Sequence, residues 1–484
     1  MTPVLDPPSP FRPPTPRRGI VRMASVLVAV ALLAGACGDS DDDKAADKNS
    51  AKSASCPVDA VAKATKPIDI TFWHSMADAN ESTLKAMIAD YNASQSKVKV
   101  NLQFQGDYDD TAKKYVATLQ QGDLPELVQL HEIYPRMMID TKSTMPVQAC
   151  IDAAKHDLSD YLAAPLKQFN VDGMQWSMPF NTSVPVLYYN RAAFRNAGLD
   201  PDLPPTTFEE VRSASEKIVS SGAARSGIAF ELKADPITQW MSVAGQPLVD
   251  HGNGRNGQAT EAVFDTATGR EVYGFMKTMI DDKLAISVGR NRAGVDHLLA
   301  LAKGDAAMAI FTSAALGSVL GVLASGQFPG VEPGVAPMPG LRDPKGKGGV
   351  FVGGGSLHIV EKGSTPEQRA AAWDLVRWLD EPAQQARLHE ATGYIPIRKS
   401  VAELPAIVNL WKSNPLFRVG YDELIASGNA SGSAVLGAYS SVEDVIIAGL
   451  ERMTLEGQDP AEATRRASAE ATKAIKDYNE RVGG

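Results

Sequence analysis

Cysteine is scarce, with three in 484 residues. No two stand as Cys-x-x-Cys or beside a histidine, so thiol redox chemistry has no basis in the sequence. Basic residues do not predominate: 48 Lys and Arg face 57 Asp and Glu, for a net charge of −9. That excess argues against a nucleic-acid partner, whose phosphates are held by clustered Lys and Arg. Beyond one N-terminal stretch there is no long apolar run, which confines membrane contact to that end. Metal-ligand spacing such as His-x-x-x-His is missing, so His74, His131 with Glu132, and Asp109 do not read as a metal centre. The glycines at 353–355 lack a following Lys-Ser/Thr, and no convincing Gly-x-Ser-x-Gly elbow occurs. No metal and no cofactor is therefore expected. A glycoside hydrolase would need two carboxylates facing across one cleft; only Glu132 sits in a motif.

What is present is informative at the N-terminus. Arg17, Arg18 and Arg22 precede an apolar stretch (residues 23–36) that ends at Cys37, and a polar tract follows. A basic region, a short apolar core and small residues before a cleavage point make a secretory signal. The stretch is too short to span a bilayer comfortably, which takes roughly 20 residues. Residues 33–36 (LAGA) before Cys37 resemble the lipobox of bacterial lipoproteins, although Ala34 stands where Leu is usual. The resemblance implies removal of 1–36, acylation of Cys37 and a flexible tether over 37–63. An ordinary signal peptide with an incidental cysteine is the plainer alternative, and Arg17-Arg18 is a loose match to a twin-arginine signal. Cys56 and Cys150 then remain as an even pair in an oxidising compartment, and a structural disulfide is expected. Two free thiols are the alternative.

Hydrophobic content of 44% and charged content of 22% are those of an ordinary soluble globular chain, and the length calls for two domains. From residue 66 short strand-like runs alternate with helical patterns, the signature of α/β architecture. Strands are expected at 68–73, 97–104, 127–130 and 184–189, and helices at 82–91 and 110–121. Residues 204–211 read as a helix start with a Thr cap and Glu three residues on. A buried strand is expected to end near 311. The run at 349–360 is a strand interrupted by glycines, where the backbone approaches something closely. Residues 366–381 and 459–482 read as long surface helices. Trp240, Trp373, Trp378 and Trp411 read as packing residues, with Trp240 the one candidate for a ligand wall.

Several fragments, in order, resemble extracellular solute-binding proteins of bacterial ABC importers, family 1, and are most like its glycerol-3-phosphate-binding branch. They are residues 72–76 (FWHSM), 106–108 (GDY), 129–133 (QLHEI), 179–190 (PFNTSVPVLYYN), 197–201 (AGLDP), 304–308 (GDAAM), 353–356 (GGGS) and 392–397 (TGYIPI). The resemblance implies a two-lobed fold of the type II periplasmic-binding-protein kind, hinged on crossover strands. Lobe 1 would comprise 64–180 plus 309–362, and lobe 2 would comprise 181–308 plus 363–484. It implies a monomeric receptor, not an enzyme, that hands a small solute to ABC permease subunits from outside the cytoplasm.

Carried over, Tyr108, Glu132, Ser183, Thr312, Ser313, Gly354 and Tyr394 fall on positions lining the glycerophosphate cleft. Glu132 would accept from hydroxyls, the two tyrosines would form walls, and Ser183, Ser313 and the Gly354 N–H would address phosphate or hydroxyl. Phe230 or Trp240 would supply a second-lobe aromatic, although 227–240 aligns poorly. Val435 stands where the family has a phosphate-binding Arg, and Arg418 is the substitute the sequence offers. The ligand the resemblance implies is glycerol-3-phosphate or a glycerophosphodiester such as glycerophosphocholine; losing that Arg weakens the case for the phosphomonoester, and aromatic walls suit the quaternary ammonium of glycerophosphocholine. A maltose-like oligosaccharide, an extracellular carbohydrate-active enzyme and an adhesin-like lipoprotein are the remaining readings.

Overall fold

A computed structural model describes residues 55–290, 294–341, 348–428 and 432–483; Cys37 and the signal stretch lie outside these. All described residues belong to one unit, Lys48–Gly484. Its strands in chain order are β1 (Ile68–His74), β2 (Val98–Phe104), β3 (Leu127–His131), β4 (Met178–Ser183), β5 (Pro185–Asn190), β6 (Ser226–Phe230), β7 (Ala285–Ser287), β8 (Ala306–Thr312), β9 (Pro333–Pro337) and β10 (Gly353–Ile359). They form two five-stranded sheets, one ordered β2-β1-β3-β10-β4 and the other β9-β5-β8-β6-β7, and a separate small hairpin pairs Asn170–Val171 with Met174–Gln175.

In the first sheet β1 lies parallel to β2 and β3, and β10 runs antiparallel to both β3 and β4. Its outermost strand, β2, buries Val98 and Val100 while Lys99 and Asn101 face out, the alternation of a strand with one wet face. The central strand β3, by contrast, buries Leu127, Val128, Gln129 and Leu130 in succession. In the second sheet β8 pairs antiparallel with β5 and parallel with β6.

Helix starts follow the expected chemistry with one variation. Thr207 caps the helix Phe208–Ser221 by accepting from the Glu210 N–H at 3.2 Å. The Glu210 carboxylate reaches back one residue further than a capping box requires, accepting from the Thr206 N–H at 2.7 Å. The helix expected at 366–381 is present as Pro366–Leu379, with a second, Pro382–Thr392, following it, but it is not superficial. It buries Ala371, Trp373, Leu375, Val376 and Leu379 in the same cluster as Phe72 and Leu357 of the first sheet. Cys56 and Cys150 are joined by a disulfide across 94 residues, tying the first described residues to the helix Gln148–Ala154.

The lobe limits differ from those expected. β8 and β9 belong to the second sheet, so the return to the first falls between residues 337 and 353 and not at 309. The helices of 366–392 stay with the first sheet before the chain leaves it again. The reason is pairing: β8 finds its neighbour in β5, more than a hundred residues earlier, a relation that local pattern does not carry. Three segments thus pass between the sheets. One is the single residue Val184, between β4 and β5. The other two flank it, since Gly353 pairs with Ser183 and Ile395 bridges to Thr182. Away from these crossings, Arg255 donates to the Lys167 carbonyl at 3.1 Å and to Gln168 Oε1 at 3.1 Å.

Candidate ligand-binding cleft

A cavity of about 610 Å³ opens beside the three crossings, within the range of roughly 300–1,000 Å³ usual for small-molecule sites. Tyr108, Glu132, Ser183, Trp240, Thr312, Gly354 and Tyr394 all line it.

The first-lobe wall is built by hydrogen bonds that run inward from the surface. Ser75 and Thr111 share a hydroxyl bond of 2.7 Å, and the Ser75 N–H donates to Gln129 Oε1 at 3.0 Å. Gln129 Nε2 then donates to Asn181 Oδ1 at 2.7 Å, and Asn181 Nδ2 donates to the Tyr108 hydroxyl at 2.8 Å. Gln129 and Asn181 are wholly buried, so each amide is held by its partners and orients the next. Tyr108 also packs on His131, with ring centroids 4.8 Å apart.

The glycines of β10 make room for this wall. Gly354 has φ +94°, and a Cβ there would lie 1.9 Å from the Asn181 carbonyl oxygen. A Cβ on Gly355 would meet the Tyr108 hydroxyl at 2.8 Å. The close approach expected at the glycine-interrupted strand is that of Asn181 and Tyr108. The Gly354 carbonyl accepts from the Glu132 N–H at 3.0 Å, which places the carboxylate.

Glu132 is 3% exposed and lies 2.9 Å from His131 Nε2. The oxygen in that contact is Oε2; it is poorly aligned with the imidazole N–H, and the carboxylate keeps acceptor capacity for a ligand hydroxyl. Burial pushes the Glu132 carboxyl up. Burial pulls His131 down, but the neighbouring carboxylate more than offsets this and holds it above its usual value.

Ser183 and Gly354 sit at the crossings themselves. Thr312 lies where β8 ends, and its hydroxyl accepts from the Ala314 N–H at 3.2 Å while its carbonyl accepts from the Tyr188 hydroxyl at 2.9 Å. Trp240 is fully buried, its indole N–H donating to the Pro339 carbonyl at 2.9 Å. It backs the wall, with Phe230 at its edge, and its polar atom is already used.

Two expected residues do not reach the cavity. Ser313 turns inward, its hydroxyl accepting from the Val184 N–H at 3.3 Å, so it braces a crossing. Arg418 lies on an outer helix, 57% exposed and paired with Asp422 at 3.0 Å, with its guanidinium over Trp411. Val435 is buried and lines a separate small cavity. His74 packs against Phe72 and Phe104, and no described group of His, Cys, Asp and Glu is arranged to hold a metal ion.

Sequence reasoning missed Asp78, Asn80, His131, Tyr188, Tyr189, Glu231, Lys233 and Asp235, all of which line the cavity. His131 stood inside a quoted fragment, beside Glu132. The residues at 231–235 fell in the poorly aligned stretch, and only β6, which delivers them, marks their place. The charged lining thus comprises the carboxylates of Asp78, Glu132, Glu231 and Asp235 against Lys233 and His131. Lys233 is itself 3.4 Å from Glu231.

Residues 86–419, more than half of the chain, match the family model described as bacterial extracellular solute-binding protein. The sn-glycerol-3-phosphate-binding periplasmic protein UgpB of Yersinia pestis is 27% identical over 370 residues, covering 73% of this chain and 80% of that protein. UgpB of Escherichia coli O6:K15:H31 is 28% identical over 365 residues, with 73% and 80% covered. Among solved structures, UgpB from Mycobacterium tuberculosis in complex with glycerophosphocholine superposes with TM-score 0.70 at 23% identity, covering 86% of this chain and all of that one. The cyclic α-maltosyl-1,6-maltose binding protein of Arthrobacter globiformis gives 0.68 at 23%, covering 85% and 100%. Two sheets joined by crossovers around a polar cleft are the fold these neighbours share. The chain belongs to the bacterial extracellular solute-binding protein family, whose members bind small molecules for ABC permeases and are not enzymes.

Proposed function

We propose that this chain is a lipid-anchored, monomeric receptor that captures a glycerophosphodiester, of which glycerophosphocholine is the type, and delivers it unchanged to an ABC permease. The observation that carries the reading is the charge of the cleft. Four carboxylates line it against one lysine and one histidine, and Arg418 faces away. A phosphomonoester dianion would meet net repulsion there, since its second charge wants a bidentate cation. A diester brings one negative charge and, in glycerophosphocholine, a quaternary ammonium that carboxylates and tyrosine faces favour. In this reading Lys233 takes the phosphate, Glu132 and Ser183 take glycerol hydroxyls, and Tyr108, Tyr394 and Asp235 surround the ammonium. Closure about the crossings at Val184, Gly353 and Ile395 completes the site, and the closed form is what the permease recognises. Cys37 would carry the lipid; no helix of the described residues is long and apolar enough to cross a membrane.

A second reading, a neutral oligosaccharide, draws support from the same carboxylates, which accept from sugar hydroxyls as readily as from glycerol. Calorimetric titration with glycerol-3-phosphate, glycerophosphocholine and maltodextrins separates the readings. Saturable binding of glycerophosphocholine, recovered intact and bound at least tenfold tighter than glycerol-3-phosphate, is expected. Tighter binding of the monoester, or of a maltodextrin, overturns the proposal.

A further inference from the structure

The cavity is chemically lopsided. Its polar groups gather at the first lobe and along residues 231–235, but the far end is hydrocarbon. There the helix Asp296–Ala302 and the helix Leu316–Ala324 flank β8 and contribute Val295, Leu298, Leu299, Phe311, Val319 and Val322. The second of these helices reads LGSVLGVLA, yet buries only Leu316. Val295 and Val322 are 40% and 44% exposed. Other exposed apolar side chains, such as Leu203 and Leu455, line no such cavity and need no explanation. Val295 and Val322 instead face the same space as Glu132 and Tyr108. Lys233 marks the seam, its ammonium 5.8 Å from the Phe311 ring centroid. For a small, fully hydroxylated solute this end is a poor match: beyond the hydroxyls of Thr312 and Ser318 it offers little to hydrogen-bond and leaves water against valine and leucine.

We infer that the cleft takes an amphiphile, with a polar head at Glu132 and Tyr108, an anionic group near Lys233, and a short acyl or alkyl chain against the 296–302 and 316–324 helices. This rests on the proposed receptor function and names its ligand class more closely. The occupant is the ligand's own chain and not a docked partner, because the apolar end is continuous with the polar one in a single cavity.

The test is a calorimetric titration of the full chain below micellar concentrations, with two homologous series. One runs through the methyl, butyl, hexyl and octyl phosphodiesters of sn-glycerol-3-phosphate, which keep both glycerol hydroxyls free and carry the chain beyond the phosphate; the other runs from methyl to octyl β-maltoside. Each methylene that reaches the apolar end should tighten binding by about fourfold until that end is filled. Val322→Asp should flatten the dependence on chain length. Affinity that is flat or falling with chain length in both series overturns the inference, even if glycerophosphocholine itself binds. Affinity that rises with length only on the maltosides keeps the apolar-end assignment and overturns both the anionic group near Lys233 and the glycerophosphodiester reading. A slope unchanged in Val322→Asp shows that the chain lies elsewhere and overturns the assignment, and no binding by any member overturns both proposals.

Discussion

The hydroxyl of Tyr108 accepts from Asn181 Nδ2 at 2.8 Å, which ties the wall of the cleft to β4 three residues before the chain crosses between lobes at Val184. Asn181→Ala should therefore do two things at once. Gln129 Nε2 loses its acceptor in a buried place, which costs about 1–3 kcal/mol of stability. Tyr108 loses its orientation, and ligand binding weakens beyond what the small shift in melting temperature explains. Thermal denaturation and calorimetry on the same variant check both. Stability lost with affinity unchanged would show that Tyr108 needs no such support.

Glu132→Gln and Tyr108→Ala should each weaken binding of glycerophosphocholine by roughly 10- to 100-fold and leave the fold intact. The first has a spectroscopic signature as well. Removing the carboxylate 2.9 Å from His131 Nε2 leaves burial as the main influence on the imidazole, and burial disfavours its charged form. The His131 titration, followed by NMR, should move to lower pH in Glu132→Gln.

Gly354→Ala should destabilise the protein by at least about 2 kcal/mol. The residue sits at φ +94°, and a Cβ would lie 1.9 Å from the Asn181 carbonyl oxygen, which is backbone and cannot rotate away. Urea denaturation measures the loss. An alanine variant of normal stability would mean that β10 does not approach β4 so closely.

Glu423 supplies a pH dependence. It is buried, its Oε1 accepts from the Met338 N–H at 2.8 Å and its Oε2 has no partner. Burial pushes its pKa from 4.5 to about 8. Between those values the native state holds a proton that the unfolded chain has released, so the site loses stability as pH rises through that window. Glu423→Gln keeps the acceptor and removes the charge. It should stabilise the protein at pH 8 by on the order of 3 kcal/mol and have little effect at pH 4. Melting temperatures at the two pH values read this directly.

Reduction of Cys56–Cys150, or Cys150→Ser, should cost about 3–5 kcal/mol, because the bridge closes a long loop in the unfolded chain. The comparison of reduced and oxidised melting curves measures it.

What the sequence disclosed, and what it withheld, follows from range. Tyr108, Glu132, Ser183, Gly354 and Tyr394 stood in short fragments whose chemistry is local, and all five line the cavity. The Thr207 cap and the strained β10 glycines were legible for the same reason. Lys233 and Asp235 were not, since nothing in 231–235 marks a cleft until β6 pairs with β8 and carries the segment there. The displacement of Arg418 to an outer helix and of Ser313 to the Val184 N–H depended on packing between distant elements. The lobe limits failed on the same account, because strand parentage is decided by partners more than a hundred residues away.

β10 has one more consequence. It lies between β3 and β4, although the chain reaches it only at residue 353. Until that late segment exists β3 has only β1 beside it and β4 has no strand partner in the sheet, so everything translated earlier stays without a finished first sheet. A chain that stops short of residue 353 therefore leaves the β10 edge of β3 bare, an open edge on which a strand from elsewhere could pair.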